Sequence, residues 1–209
     1  LARYPEAAAA LLSGEFGIGE GNRLSNSGEE ILLTGAGGQE IRRFTYLDEF
    51  PWPVSPDGLG PSLVLIAPQS NPDHAMALNW RPSTSVGGTP GGSDAVNFVG
   101  DPDADPDGNG LGALLEHALG NSLPPVVIQV DPATGTATMS FTRNLPADDI
   151  AFSIEVSTDL LVWGPGGAER LSSSDNGDGT ATESWIIPDI QFDPGQSWFM
   201  RLRLDQRLP

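Results

Sequence analysis

Twelve consecutive residues, Asp105-Pro106-Asp107-Gly108-Asn109-Gly110-Leu111-Gly112-Ala113-Leu114-Leu115-Glu116, carry oxygen donors at the spacing that chelation of a hard cation requires. They match the calcium-loop template D-x-[DN]-x-[DN]-G-x5-E at every specified position. Ca²⁺ takes six to eight oxygens at about 2.3–2.6 Å. Asp105, Asp107 and Asn109 offer side-chain oxygens at loop positions 1, 3 and 5, and the Leu111 carbonyl serves position 7. A water near Ala113 fills position 9, and Glu116 closes the shell with both oxygens. Gly110 stands where the loop turns sharply. Upstream, Asp101 and Asp103 create a rival register starting at Asp101. That register puts Pro106 at the glycine position and Gly112 at the closing carboxylate, so it fails. The two outer acids are read as supporting groups behind the ligands, or as ligands of a weaker second ion.

Other chemistry has fewer residues to work with. The two histidines are His74, in a loop rich in Asn and Pro, and His117, one residue past Glu116 and expected on the polar side of its helix. Neither adjoins a nucleophile elbow or an H-E-x-x-H metal motif. Cysteine is absent, which removes disulfides, zinc thiolates and thiol nucleophiles. Carboxylate pairs suited to glycoside hydrolysis stay open in principle among 28 acids. The expectation is nevertheless that the chain is not an enzyme. Five tryptophans, Trp52, Trp80, Trp163, Trp185 and Trp198, are candidate platforms for sugar stacking. Trp163, beside Gly164-Pro165-Gly166-Gly167, is the one expected to be most exposed, and the others are expected to pack.

The charge balance narrows the partners. Twenty-eight acids face ten bases, all arginine, for a net charge of -18. A surface so acidic repels phosphate backbones and anionic lipid, so neither nucleic acid binding nor membrane insertion is expected. The longest apolar runs, such as Ser62–Ala67, are far too short to span a bilayer. With no leader segment and a first residue of Leu, the sequence reads as a processed or excised fragment whose own address label is lost.

The elements that must position the loop follow from composition and period. With 26 Gly and 19 Pro, the 209 residues favour short strands and many turns. A helix is expected over Tyr4–Leu12, with Pro5 in its first turn. Strands are expected at Glu30–Thr34, Ile41–Tyr46 and Ser62–Ile66. A Gly-, Pro-, Ser- and Asp-rich stretch from Gly87 to Gly110 then leads into the acidic loop. Leu111, Leu114, Leu115, Ala118 and Leu119 recur at helical spacing, with Gly120 as the stop. The last third alternates with period two, and its expected core is Met139, Phe141, Phe152, Ile154, Val156, Met200 and Leu202. The fold class is therefore mainly β, with two small immunoglobulin-like β-sandwich modules joined by a calcium loop and short helix. Boundaries fall at 1–93, 94–121 and 122–209.

Two resemblances extend this reading. The blocks Leu24-Ser25-Asn26-Ser27-Gly28-Glu29-Glu30-Ile31-Leu32-Leu33, Tyr46, Pro51-Trp52-Pro53, Asp57-Gly58-Leu59-Gly60-Pro61-Ser62-Leu63, Asn79-Trp80 and Gly87-Gly88-Thr89-Pro90-Gly91 resemble the later part of a bacterial lamin-tail domain. The acidic loop, with Pro102 and Pro106 in place of an entering helix, resembles the EF-hand-type half-hands of dockerin-like calcium loops. The β region after it, with Val156-Ser157-Thr158-Asp159-Leu160 and Trp163, resembles C-terminal tails of large secreted bacterial proteins. The opening strands of a lamin-tail domain have no counterpart before Leu24. The resemblance thus implies an incomplete N-terminal sheet that other polypeptide completes, either the rest of the parent protein or a second copy. It also implies a non-catalytic structural or adhesive role as a piece of a larger secreted protein, extracellular or at the bacterial cell surface. The alternative is a carbohydrate-binding accessory module of an extracellular hydrolase, with a glycan as partner.

Overall fold

Strands make up most of the regular structure, in four small antiparallel sheets. The structure, a computed structural model, describes residues 24–120, 124–131, 133–188 and 196–207. The helix expected over Tyr4–Leu12 lies outside the described residues. By contact density the chain divides into two units, Leu1–Asp94 and Ala95–Pro209.

In the first unit, β1 (Glu29–Thr34) and β2 (Glu40–Tyr46) form a hairpin, and β3 (Pro61–Leu65) pairs with β4 (Trp80–Val86). All three strands expected here occur within a residue of the boundaries that patterning gave. The β1–β2 turn is closed by the Gly35 N–H donating to the Gln39 carbonyl at 2.8 Å. Rings tie the two hairpins together. Phe44 of β2 stacks on Trp80 of β4 with centroids 5.4 Å apart, and Trp52 packs on Trp80 at 5.9 Å. The Trp80 indole N–H donates to the His74 carbonyl, which spares it an unmet donor. Next to it, Arg81 lies buried against Asp94 in a two-pronged ion pair, with Nη2–Oδ1 at 2.7 Å and Nη1–Oδ2 at 3.1 Å. The Thr84 backbone N–H adds a third bond to that carboxylate.

The second unit has a four-stranded sheet and a three-stranded sheet. The first runs β5 (Val127–Asp131), β6 (Thr136–Asn144), β10 (Thr180–Ile187), β9 (Glu169–Asp175). The second runs β11 (Phe199–Gln206), β7 (Ile150–Ser157), β8 (Gly164–Pro165). Both contribute to one hydrophobic cluster, in which Ala137, Met139 and Phe141 of β6 and Ile187 of β10 meet Ile150 and Ile154 of β7. Phe152, Val156, Met200 and Leu202 pack against it from the side. Every residue expected in this core takes part.

The helix α1 (Ala113–Leu119) belongs to this same core. Ala118 and Leu119 are completely buried in the cluster, and Leu114 and Leu115 pack against it. Sequence patterning assigned these residues to a connecting segment. Their apolar stripe instead covers the β6 side of the sheet, and the second unit begins at Ala95. The reason is physical: a seven-residue helix is too short to stand alone, and its apolar stripe has to be buried somewhere.

Candidate calcium loop

The loop from Asp105 to Glu116 is organised by its own side chains. Asp105 accepts from two backbone donors, Asn109 N–H at 3.1 Å and Gly110 N–H at 3.0 Å. Asp107 accepts from Asn109 N–H at 3.2 Å. Asn109 then links the two arms: its Nδ2 donates to Asp107 Oδ2 at 3.1 Å and to Glu116 Oε1 at 2.8 Å. Its Oδ1 accepts from Leu111 N–H at 2.8 Å. Gly110 sits at φ +88°, a conformation that side-chain-bearing residues rarely adopt. Loop positions 1, 3, 5 and 12 are thus gathered around one turn.

The arms of the loop are held from outside. The outer turn, Asp101–Ala104, is pinned by Asp101 Oδ1 accepting from Asp103 N–H at 3.1 Å. Its carbonyls serve the first turn of α1, where Ala113 N–H donates to Ala104 O at 2.7 Å and Leu114 N–H to Pro102 O at 3.2 Å. These bonds satisfy donors that a helix start leaves open. They also require Gly112, because a Cβ there would stand 2.8 Å from the Pro102 carbonyl oxygen. An entering helix, which the prolines forbid, is replaced by this backbone clasp.

On the far side of α1, the ring of His117 meets Asp149 at 2.9 Å. Asp149 also accepts from Phe98 N–H at 2.7 Å. Burial pushes the Asp149 carboxyl up, but the His117 ring and the Phe98 N–H outweigh it and hold it below the usual carboxylate range. Asn144 Nδ2 donates to the His117 carbonyl at 2.7 Å, and Gly120 N–H closes on Glu116 O at 2.7 Å. His117 is therefore mostly buried and engaged, where patterning placed it on the polar side. Asp149 gave no signal in sequence, because its role depends on a partner 32 residues away.

The carboxylates of Asp105, Asp107 and Glu116 stay engaged with N–H donors. Among the described residues, no group of three or more His, Asp or Glu side chains converges closely enough to hold a metal as it stands. The Asn109 amide lies between the carboxylates. Cation binding at this loop requires that amide to turn its oxygen inward.

Elsewhere the tryptophans are committed to packing. Trp52 is buried, Trp80 lies in the ring cluster, and Trp185 and Trp198 pack on the second unit's core. Trp163 is covered on one face by the Arg201 guanidinium, 4.2 Å from the ring centroid. No helix among the described residues is long and apolar enough to cross a membrane. No family model, curated protein or solved structure matches the chain.

Proposed function

We propose that this chain is a non-catalytic, calcium-binding structural or adhesive piece of a larger secreted protein, built of two immunoglobulin-like β-sandwich modules. One observation carries the reading: the full calcium template lies on one turn, and its closing Glu116 stands on a helix whose other end is buried in a β core. Calcium bound there ties the acidic loop segment 101–109 to that core, because ligands on both sides of Gly110 share one ion. The same ion neutralises the repulsion among Asp101, Asp103, Asp105 and Asp107, to which this 101–112 stretch contributes no base. Asp101 and Asp103 act from behind, shaping the clasp on α1.

The exposed edge of the β1–β2 or β3–β4 sheet is the place where other polypeptide, from the parent protein or a second copy, completes the N-terminal module. A glycan-binding role draws less support, since the five tryptophans pack against protein groups. Isothermal titration with Ca²⁺ tests the proposal on the whole chain. The expected result is one site, lost in Asp105→Ala and Glu116→Ala, with Mg²⁺ a poor substitute because it demands tighter octahedral geometry. Absence of heat and of any melting shift at millimolar Ca²⁺ overturns it.

A further inference from the structure

The two edges of the four-stranded sheet are unlike. On β9 the exposed positions are Glu169, Leu171, Ser172 and Ser174. This edge is guarded by the Glu169 charge and by a register shift in its pairing with β10 between Ser184 and Trp185. The other edge, β5, reads Val127-Ile128-Gln129-Val130-Asp131, and all five residues are exposed. It has no proline, no base and no acid before Asp131, and its register with β6 runs without a bulge. Its one charge is at its last residue, and the prolines of this region stand outside the strand, so Val127 to Val130 form an edge without charge or proline. Among the described residues β5 pairs with β6 alone.

The faces of β5 make the exposure more specific. Ile128 lies opposite Met139 and Val130 opposite Ala137, so both point to the side of the sheet that carries the core. Met139 and Ala137 are buried there, yet Ile128 remains 47% and Val130 50% exposed. Two β-branched side chains on the core side are left half uncovered at the rim. A new strand beside β5 would cover them.

We propose that this strand is β5 of a second copy, paired antiparallel about a two-fold axis through Gln129. In that register Ile128 faces the partner's Val130, Val130 faces the partner's Ile128, and Gln129 faces its own counterpart. Such β-branched cross-strand pairs are favourable. Asp131 falls opposite the partner's Val127, so no like charges meet. Of the two-fold registers that keep both core faces on the same side, this one pairs all five residues. Sliding it by four residues places Asp131 against the partner's Asp131. The result is a continuous eight-stranded sheet with a four-residue apolar ridge across the join.

The contact is one five-residue strand edge, so weak, concentration-dependent self-association is expected. Two copies of net charge -18 repel each other, so the dimer strengthens as salt rises and the repulsion is screened. The chain has no cysteine, which allows a direct test. Under mild oxidation Gln129→Cys should trap a disulfide-linked dimer, and Ser174→Cys on β9 should not. Sedimentation of the unmodified chain should show concentration-dependent dimers, lost in Ile128→Lys while the circular dichroism and melting midpoint stay unchanged. A chain that is monomeric to about 1 mM at high salt overturns the proposal. So does a dimer that persists in Ile128→Lys, or equal trapping of the two cysteine variants, since each places the contact elsewhere. The cysteine trap leaves the apolar ridge intact and remains decisive if Ile128→Lys does not fold.

Discussion

Asn109 Nδ2 donates to Glu116 Oε1 at 2.8 Å, joining the fifth and twelfth positions of the loop through a neutral amide. The same amide nitrogen reaches Asp107. A cation-binding loop needs an oxygen at this position, and the Asn109 amide here presents a donor. Asn109→Asp should therefore act in opposite directions on the two states. Without calcium it brings three carboxylates together and loosens the loop. With calcium it adds a charged ligand, and calcium affinity should rise about tenfold, or ~1.4 kcal/mol. Titration calorimetry on the variant checks this, and unchanged or weaker affinity would contradict it.

Arg81 and Asp94 form a buried pair whose partners cannot be removed singly at low cost. Asp94→Ala leaves a guanidinium buried without its carboxylate, and the expected loss is about 3–5 kcal/mol. The pH dependence follows from the same bonds. Burial raises the Asp94 pKa, but the Arg81 hydrogen bonds and the Thr84 N–H outweigh it and lower the value from 3.8 to about 2. A depressed folded pKa means the contribution is present above the unfolded value near 3.8 and is lost as pH falls toward 2. Melting curves between pH 5 and 2 should show the first unit losing stability in that window. Asp94→Asn should start lower and show less of that loss.

Leu119 tests where the second unit begins. It is completely buried among β6 and β7 side chains, so Leu119→Ala should cost about 2–5 kcal/mol. A fragment of residues 95–209 should fold on its own, and one of residues 122–209 should not, because the core cluster would lose the fully buried Ala118 and Leu119. Dispersed amide resonances from the shorter fragment would show that the helix is dispensable.

Period and template made much of this legible in the sequence. Alternation placed β6, β7 and β11, where Ala137-Met139-Phe141, Phe152-Ile154-Val156 and Met200-Leu202-Leu204 share one face. β1, β2 and β3 are legible only as short runs bounded by turn residues, because charges interrupt both faces of β1 and β2. Helical spacing found α1 as well, but spacing along the chain says nothing about what an apolar stripe packs against, so the helix read as a connector. The loop residues were readable because their chemistry fixes their separation. Asp149 and the amide orientation of Asn109 were not, because each depends on partners that only the fold brings near. β10 was obscured for a different reason: its inward-facing series is Ala181, Glu183, Trp185, Ile187, and a glutamate breaks the apolar pattern.

That glutamate leads to a last expectation. Glu183 is buried opposite Phe141, with Arg143 Nη1 at 3.5 Å and Arg170 Nη1 at 3.8 Å from its Oε1, and the Trp185 indole N–H at 3.0 Å from its Oε2. Arg143 also lies over the Phe152 ring at 5.3 Å. Burial lowers the Arg170 pKa, with Glu183 opposing the shift and Arg143 adding to it. The carboxylate thus holds two guanidiniums that would otherwise repel each other in a dry setting. Glu183→Gln keeps the shape and removes the charge, and should destabilise the second unit by about 3–5 kcal/mol. Adding Arg143→Met and Arg170→Met to Glu183→Leu removes all three charges at once. It should recover most of that loss, because buried ion clusters are often replaceable by apolar groups of similar volume. Chemical denaturation of the single and triple variants decides it. A triple variant less stable than Glu183→Gln would mean that the cluster contributes net stability and is not merely tolerated.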